Sequence, residues 1–126
     1  MRVVFVCVEN SNRSQMAEAF GHMFGIDAYS AGSRPSGRVN PRAIEAMREL
    51  DYDLNTHNSK GLDDLPAVSF DVAVTMGCGD RCPNLNAARR EDWNIPDPKD
   101  MPADSFREVR DLIGSRVKQL VAELKG

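Results

Sequence analysis

One stretch near the amino terminus combines a thiol, a guanidinium and hydroxyl groups at a spacing suited to anion chemistry. Cys7 is followed six positions later by Arg13 and seven positions later by Ser14. A strand that passes through a tight loop into a helix directs the loop N–H groups and the helix amino terminus towards one point, where a tetrahedral anion can bind. The charge of Arg13 and the hydroxyl of Ser14 favour the thiolate form of Cys7, which is the nucleophilic form.

The alternative for Cys7 is an inert thiol, because a buried cysteine often ends an apolar strand such as Val3 to Cys7. The Arg13-Ser14 pair at the far end of the loop makes the reactive interpretation the better one. We therefore predict Cys7 as nucleophile and an oxyanion-binding loop formed by Val8, Glu9, Asn10, Ser11, Asn12, Arg13 and Ser14.

Two further thiols, Cys78 and Cys82, are separated by three residues that include a glycine. A short loop with glycine can bring two cysteines within disulfide distance. A zinc half-site and two incidental thiols are the alternatives. Zinc needs more ligands, and the chain offers only His22 and His57, in no recognisable spacing. We expect both histidines to be structural or exposed to solvent, and we predict no metal site.

Hydrophobic periodicity predicts strands alternating with helices. The predicted strands are residues 3–7, 27–32 and 70–76, with a brief fourth strand near residues 93–95. Three helices are predicted before the last strand: one capped by Ser14, one capped by Asn40 with Pro41 at its first position, and a short one at 62–65. A final helix is predicted over 103–124. Its buried side chains are expected to be Phe106, Val109, Leu112, Ile113, Val117, Leu120, Val121 and Leu124.

This alternation predicts an α/β fold with a parallel sheet. Ligands of such sheets bind beyond the carboxyl ends of the strands. Cys7 ends the first predicted strand, Cys78 follows the third and Asp97 follows the fourth, so we expect all three at one edge. Asp97 precedes Pro98, and an Asp-Pro step is also common in turns.

Composition limits the classes of function. A chain of 126 residues with 41% hydrophobic and 28% charged residues predicts one globular domain, residues 1–126. The net charge of −3 gives no reason to expect a nucleic acid or membrane partner. The initial apolar run is too short for a signal peptide, which predicts a cytoplasmic protein. Arg34, Arg38 and Arg42 cluster locally; a solvated face is the preferred interpretation, and a field that attracts anions is the alternative.

Several motifs together resemble a known family. The Cys7-x5-Arg13-Ser14 loop is followed by Gln-Met-Ala-Glu, and further matches are Tyr29 to Gly32, Asn40 to Met47, Phe70 to Met76, the Cys78 and Cys82 pair, and Asp97-Pro98. In this combination the chain resembles the thiol-dependent arsenate reductases of the low-molecular-weight tyrosine phosphatase superfamily. The resemblance implies a three-layer sandwich with a four-stranded parallel sheet in the order 2-1-3-4.

The resemblance also implies an activity. Cys7 would attack arsenate bound in the loop, with Asp97 as general acid, and Cys78 and Cys82 would carry the oxidation away as successive disulfides. The implied partners are arsenate or a similar oxyanion and thioredoxin or another thiol reductant, for a monomer without a cofactor. In relatives, the residue matching Asn10 braces the loop.

The chain departs from its relatives at three positions. Glu9 stands where many have Gly, and Asn12 where many have a second Cys, which bears on anion affinity and substrate preference. Relatives with a cation site use positions matching Asn10, Glu18, Ser30 and an acidic residue, which here is Lys60. Because the Lys60 ammonium can replace the cation by pairing with Glu18, we expect no potassium requirement.

Two other functions compete with arsenate reduction. A phosphatase acting on phosphotyrosine through a Cys7 phosphoenzyme would use the same loop, Arg13 and Asp97. Such phosphatases usually hold the phenol ring with aromatic side chains, and neither residues 33–39 nor 94–102 contain one. A silent oxyanion-binding or redox-sensing module is favoured only by the negative charge of Glu9. The thiol pair favours the reductase.

Overall fold

The fold alternates strands and helices, as the sequence predicts. The computed structural model describes residues 1–76 and 85–125. Its elements are, in chain order, β1 (Arg2–Cys7), α1 (Arg13–Met23), β2 (Asp27–Gly32), α2 (Pro41–Arg48), two single 3₁₀ turns (Leu54–Thr56 and Leu62–Asp64), β3 (Phe70–Thr75), β4 (Ala87–Asp92) and α3 (Ala103–Lys125).

The four strands form one parallel sheet in the order β2-β1-β3-β4, which confirms the predicted order. Cys7 is opposite Gly32 at the end of β2, and Val6 is opposite Thr75 at the end of β3. Thr75 is in turn opposite Asp92, the last residue of β4. All four strands therefore end at one edge of the sheet, where a parallel sheet presents its ligand site.

Apolar side chains cover both faces of the sheet. Val3 and Phe5 belong to a large buried cluster with side chains of α1, α2 and α3. Val4 and Val6 alternate with them and belong to a smaller cluster that includes Leu62 and neighbouring side chains. Because β1 is packed on both faces, its carboxyl end and the Cys7 that ends it are held in a fixed place.

The fourth strand lies at Ala87–Asp92, so the prediction near residues 93–95 was wrong. β4 is an edge strand of mostly exposed residues, and its backbone pairing with β3 does not require an apolar pattern. Trp93 and Ile95 are buried for another reason, since they pack into the core beyond the strand. The Trp93 ring lies 5.9 Å from the ring of Phe5.

Two predictions about helices were also wrong. α1 begins at Arg13 after Asn12, so Ser14 lies in the first turn and does not cap the helix. Leu112 of α3 is 42% exposed, whereas Ile113 is fully buried. Adjacent helical residues point about 100° apart, so Leu112 falls outside the buried stripe that Val109, Ile113 and Val117 form. The Asn40 cap is confirmed, because its Oδ1 accepts from the Arg42 N–H at 2.9 Å.

No helix within residues 1–76 and 85–125 is both long enough and apolar enough to cross a membrane.

Leu112 and Ile113 form a matched pair for testing the packing of α3. Ile113→Ala should lower the free energy of unfolding by about 2 to 5 kcal/mol, because it leaves a cavity in the core. Leu112→Ala should change it by less than about 1 kcal/mol, because the side chain is already partly solvated. Denaturant unfolding of both variants measures the difference, and equal losses would contradict the assigned orientation of α3.

Candidate active site

Cys7 lies at the end of β1, where the loop to α1 begins. The residue is 2% exposed, and its Sγ lies 2.8 Å from Ser14 Oγ. Burial alone would also suit an inert thiol. The difference lies in the surroundings, because Ser14 and Arg13, both buried, come from the first turn of α1 and place polar groups around this end of the strand.

The loop binds the rest of the protein through its carbonyl groups. The carbonyl oxygens of residues 7, 8, 9 and 11 accept N–H bonds from the segment of residues 33–40: Ser33 to Cys7 at 3.3 Å, Arg34 to Val8 at 2.8 Å, Ser36 to Glu9 at 3.0 Å and Asn40 to Ser11 at 3.1 Å. Within the described chain, the N–H groups of residues 8–12 have no protein acceptor. A loop with bonded carbonyls and unpaired N–H groups is suited to an anion.

Asn10 fixes the shape of the loop. Its φ of 51° lies in the left-handed region, which asparagine tolerates better than most residues. The backbone N–H of Lys60 donates to Asn10 Oδ1 at 2.9 Å, and Gln15 Nε2 donates to the same oxygen at 2.9 Å. Asn10 Nδ2 must then be the atom that donates to Ser14 Oγ at 2.7 Å. The Ser14 hydroxyl proton is left for Cys7, so Ser14 can donate to the thiolate.

Gly32 allows the loop to lie directly against the end of β2. A Cβ at this position would be 2.6 Å from Val8 O and 2.9 Å from Asn10 N, distances that only glycine avoids. The glycine that ends the predicted second strand is therefore required by the close approach of two backbones.

Arg13 connects the ends of two other chain segments. Its Nη1 donates to Met76 O at 2.6 Å and to Ile95 O at 3.0 Å, and the residue is 8% exposed. Its Nη2 lies 4.0 Å from Asp97 Oδ2. The Asp97 side chain is 46% exposed, and its Oδ1 accepts from the Lys99 N–H at 3.1 Å. The structure thus places Arg13 beside Asp97, on a helix that begins at the loop after Cys7.

The two departures in the loop have different surroundings. Glu9 Oε2 lies 3.8 Å from Lys99 Nζ, so a cation from the Asp97 segment offsets part of its negative charge. Asn12 is 4% exposed, and its Oδ1 has no hydrogen-bond partner within the described chain.

The three clustered arginines do not act together. Arg42 donates to Lys99 O at 3.0 Å and to Met101 O, and its guanidinium lies 4.9 Å from the ring centre of Phe106. It therefore ties α2 to the segment that carries Asp97. Arg34 and Arg38 are exposed, in agreement with the solvated interpretation.

Glu18 lies at one of the positions that relatives with a cation site use, where Lys60 is expected to replace the cation. Lys60 Nζ lies 3.4 Å from Glu18 Oε1, which also accepts from Ser30 Oγ. Lys60 Nζ is 3.3 Å from Ser30 Oγ as well. On the other side, Glu18 Oε2 lies 3.4 Å from His57 Nδ1 and 3.9 Å from His22 Nε2. The expected Lys60 pair is present.

His22 and His57 group around Glu18, with the ligand-type atoms of the three residues within 4.8 Å of one another, a grouping that no pattern in the sequence predicts. The one local signal is that His22 follows Glu18 by four positions on α1. Both histidines are hydrogen-bonded to Tyr52. The side chain of His57 is 4% exposed and that of His22 is 39% exposed. His57 thus agrees with the structural role expected for it.

Cys78 and Cys82 lie outside the described residues. Their predicted roles therefore stay predictions.

Comparison with known proteins assigns the chain to a class. The sequence profile of the family described as low molecular weight phosphotyrosine protein phosphatase matches residues 2–126. The chain belongs to this family.

Within the family, the chain is similar to proteins named for arsenate. It is 40% identical over 124 residues to "Arsenate reductase 2" of Staphylococcus saprophyticus, with 93% of each chain covered. It is 35% identical over 128 residues to "Glutaredoxin arsenate reductase" of Synechocystis sp., with 98% of each covered. A solved structure described as an arsenate reductase in the phosphate binding state superimposes with a TM-score of 0.88, at 36% identity over 97% of each chain.

Phosphate should protect Cys7 from alkylation, because an anion in the loop covers the sulfur. The test uses Cys78→Ser/Cys82→Ser protein, in which Cys7 is the only thiol, and measures iodoacetamide labelling by mass spectrometry. Adding Arg13→Gln should abolish the protection, whereas adding Arg34→Gln, on the exposed neighbouring segment, should keep it.

Circular dichroism should first establish that the Arg13→Gln protein is folded, because Arg13 also bonds to two carbonyls. Labelling that is unaffected by phosphate would contradict an anion site at this loop.

Proposed function

We propose that this protein is an arsenate reductase that converts arsenate to arsenite in the cytoplasm, acting as a monomer with thioredoxin or a similar thiol system as reductant. The observation that carries the proposal is the loop after β1, whose N–H groups have no partner among the described residues and which begins at a cysteine whose Sγ lies 2.8 Å from a serine hydroxyl. The similarity to proteins named arsenate reductase supports arsenate as the oxyanion.

In the proposed first step, arsenate binds to the N–H groups of residues 8–14 and to Arg13. The Cys7 thiolate attacks arsenic, and an arsenate oxygen leaves as water after accepting a proton from Asp97. The product is a covalent adduct between Cys7 Sγ and pentavalent arsenic. Asp97 is suited to this role because its carboxyl group is partly exposed and its Oδ2 lies 4.0 Å from Arg13 Nη2.

In the second step, the Cys78 thiolate attacks Cys7 Sγ. The sulfur–arsenic bond breaks with its electron pair on arsenic, which leaves as trivalent arsenite, and a Cys7–Cys78 disulfide remains. The position of Met76 supports this step, because its N–H donates to Val6 O at 2.9 Å. The chain therefore passes beside the end of β1 two residues before Cys78.

In the third step, Cys82 attacks Cys78 and releases the Cys7 thiolate. The resulting Cys78–Cys82 disulfide takes two electrons from the external reductant, which completes the cycle. A relative named for glutaredoxin supports a thiol system as the reductant class. All three cysteines of the chain are used.

The second candidate is a phosphatase, which the description of the matching family favours. Cys7, Arg13 and Asp97 would act in the same positions on a phosphomonoester, and water would hydrolyse the Cys7 phosphoenzyme. This function would make no use of Cys78 or Cys82, so variants at those thiols distinguish the two candidates.

Disulfide mapping tests the relay. Reduced protein incubated with arsenate alone should form a Cys78–Cys82 bridge, and Cys82→Ser protein should accumulate a Cys7–Cys78 bridge. Cys78→Ser protein should not turn over repeatedly, yet should still hydrolyse a small aryl phosphate slowly. Phosphate in place of arsenate is the matched control and should give no disulfide bridge, because the cysteine thiols do not reduce phosphate. Repeated arsenate reduction by Cys78→Ser protein at the wild-type rate would refute the relay.

Potassium should have no specific effect on the wild-type enzyme, because the Lys60 ammonium already neutralises Glu18. The measurement is arsenate reduction in potassium chloride and in sodium chloride at equal ionic strength. Lys60→Ala removes the internal cation, and its activity should be lower and respond to potassium. Clear activation of the wild type by potassium over sodium would contradict the role given to Lys60.

A further inference from the structure

The hydrogen bonds that brace Asn10 continue beyond the active-site loop. Gln15 Nε2 donates to Asn10 O at 3.1 Å, to Asn10 Oδ1 at 2.9 Å and to Asn58 O at 2.9 Å. All three partners are acceptors in the orientation already assigned to Asn10, so the amide orientation of Gln15 is determined as well. Its Oε1 therefore faces His57 Nδ1 at 2.9 Å, and this nitrogen must carry a proton.

His57 is neutral in this arrangement. Burial lowers its pKa, and nearby His22 and Lys60 act in the same direction, while Glu18 opposes them. A neutral ring with its proton on Nδ1 has a lone pair on Nε2. That lone pair lies 2.7 Å from the Tyr52 hydroxyl, so Tyr52 is the donor in this bond.

Tyr52 keeps the proton that it donates. Its pKa is raised by burial and by the nearby negative charges of Glu18 and Asp53. Since its single proton is directed to His57, Tyr52 must accept from the other ring it contacts, His22 Nδ1, at 3.0 Å.

His22 begins the series. Its Nε2 faces Ala28 O at 3.0 Å, and its Nδ1 faces Tyr52, so both nitrogens meet acceptors. Both nitrogens are therefore donors in this series, and Glu18 Oε2 lies 3.9 Å from Nε2.

From these directions we infer that Tyr52 is a positioning residue for the active-site loop. Its hydroxyl links a series of six hydrogen bonds in which every proton is directed towards Cys7. The donors, in order, are His22, Tyr52, His57, Gln15, Asn10 and Ser14. Bonds aligned head to tail polarise one another, so the Ser14 hydroxyl donates more strongly to the Cys7 thiolate than it would alone. The first two donors are His22, in the C-terminal half of α1, and Tyr52, beyond the end of α2.

Tyr52→Phe tests this inference because it removes the hydroxyl and keeps the ring. Tyr29→Phe is the matched control, since the Tyr29 hydroxyl donates to Asp27 Oδ2 at 3.1 Å, outside the series. Both variants are made in Cys78→Ser/Cys82→Ser protein, with thermal unfolding as the check that they fold. Iodoacetamide labelling of Cys7 at neutral pH should slow by about two- to tenfold in Tyr52→Phe, the effect of one net hydrogen bond, and stay unchanged in Tyr29→Phe.

A spectroscopic measurement separates positioning from stability. Long-range ¹H–¹⁵N spectra report which ring nitrogen of a histidine carries the proton, and His57→Gln protein assigns the His57 signals. Wild-type His57 should carry its proton on Nδ1, and the Nε2 resonance should move in Tyr52→Phe but not in Tyr29→Phe. In a His57→Gln background, Tyr52→Phe should have little further effect on labelling.

Two results would overturn the inference. One is a wild-type His57 with its proton on Nε2, which reverses the direction of the series. The other is a folded Tyr52→Phe protein that is less stable but labels at the wild-type rate. The labelling and the spectra do not depend on the proposed function. If arsenate is not reduced while Tyr52→Phe slows labelling, the proposed function fails and the inference stands.

Discussion

The active site depends on which backbone groups of one short loop are satisfied by the protein. The loop after β1 uses its carbonyl groups to bind the segment of residues 33–40, and its N–H groups are left without partners in the described chain. Buried N–H groups are costly to leave unpaired, so the loop is completed by an anion or by water. The remaining features either hold this loop or supply charge to it: the strand order, the glycine at the end of β2, the brace from Asn10 and the guanidinium of Arg13.

The parts that sequence patterns predict are those in which local order and chemistry agree. Three buried strands, the Asn40 cap and the spacing of Cys7 and Arg13 all leave signals within a few neighbouring residues. The residues of β4 give no such signal in the sequence, because an edge strand is held by backbone pairing and can be largely charged. The prediction that Ser14 caps α1 was wrong for a related reason, since a hydroxyl at the start of a helix can cap the helix or form a hydrogen bond to a neighbouring side chain. Only the tertiary structure decides between these uses.

The group formed by His22, Tyr52 and His57 illustrates a further limit of the sequence. These residues come from α1, from the turn after α2 and from the segment that follows the first 3₁₀ turn. No periodic pattern connects them, and each has an ordinary structural explanation when taken alone. Their relation appears once hydrogen-bond directions are followed from atoms whose role is fixed, such as the backbone N–H of Lys60. One such donor determines the orientation of Asn10 and, through it, of Gln15 and the Nδ1 proton of His57. The directions of the Tyr52 and His22 bonds follow once His57 carries that proton alone.

The contact at Gly32 has a consequence for how the protein meets its ligand. Because the loop lies against the backbone of β2 with no side chain between them, its shape is set by the sheet and not by the bound anion. The site is therefore preorganised: little of the binding energy is spent on arranging donors, and the free and occupied forms should be nearly superimposable around Cys7. Such rigidity suits a centre whose charge changes during reaction, since dipoles already in place need not reorient as bonds are made and broken.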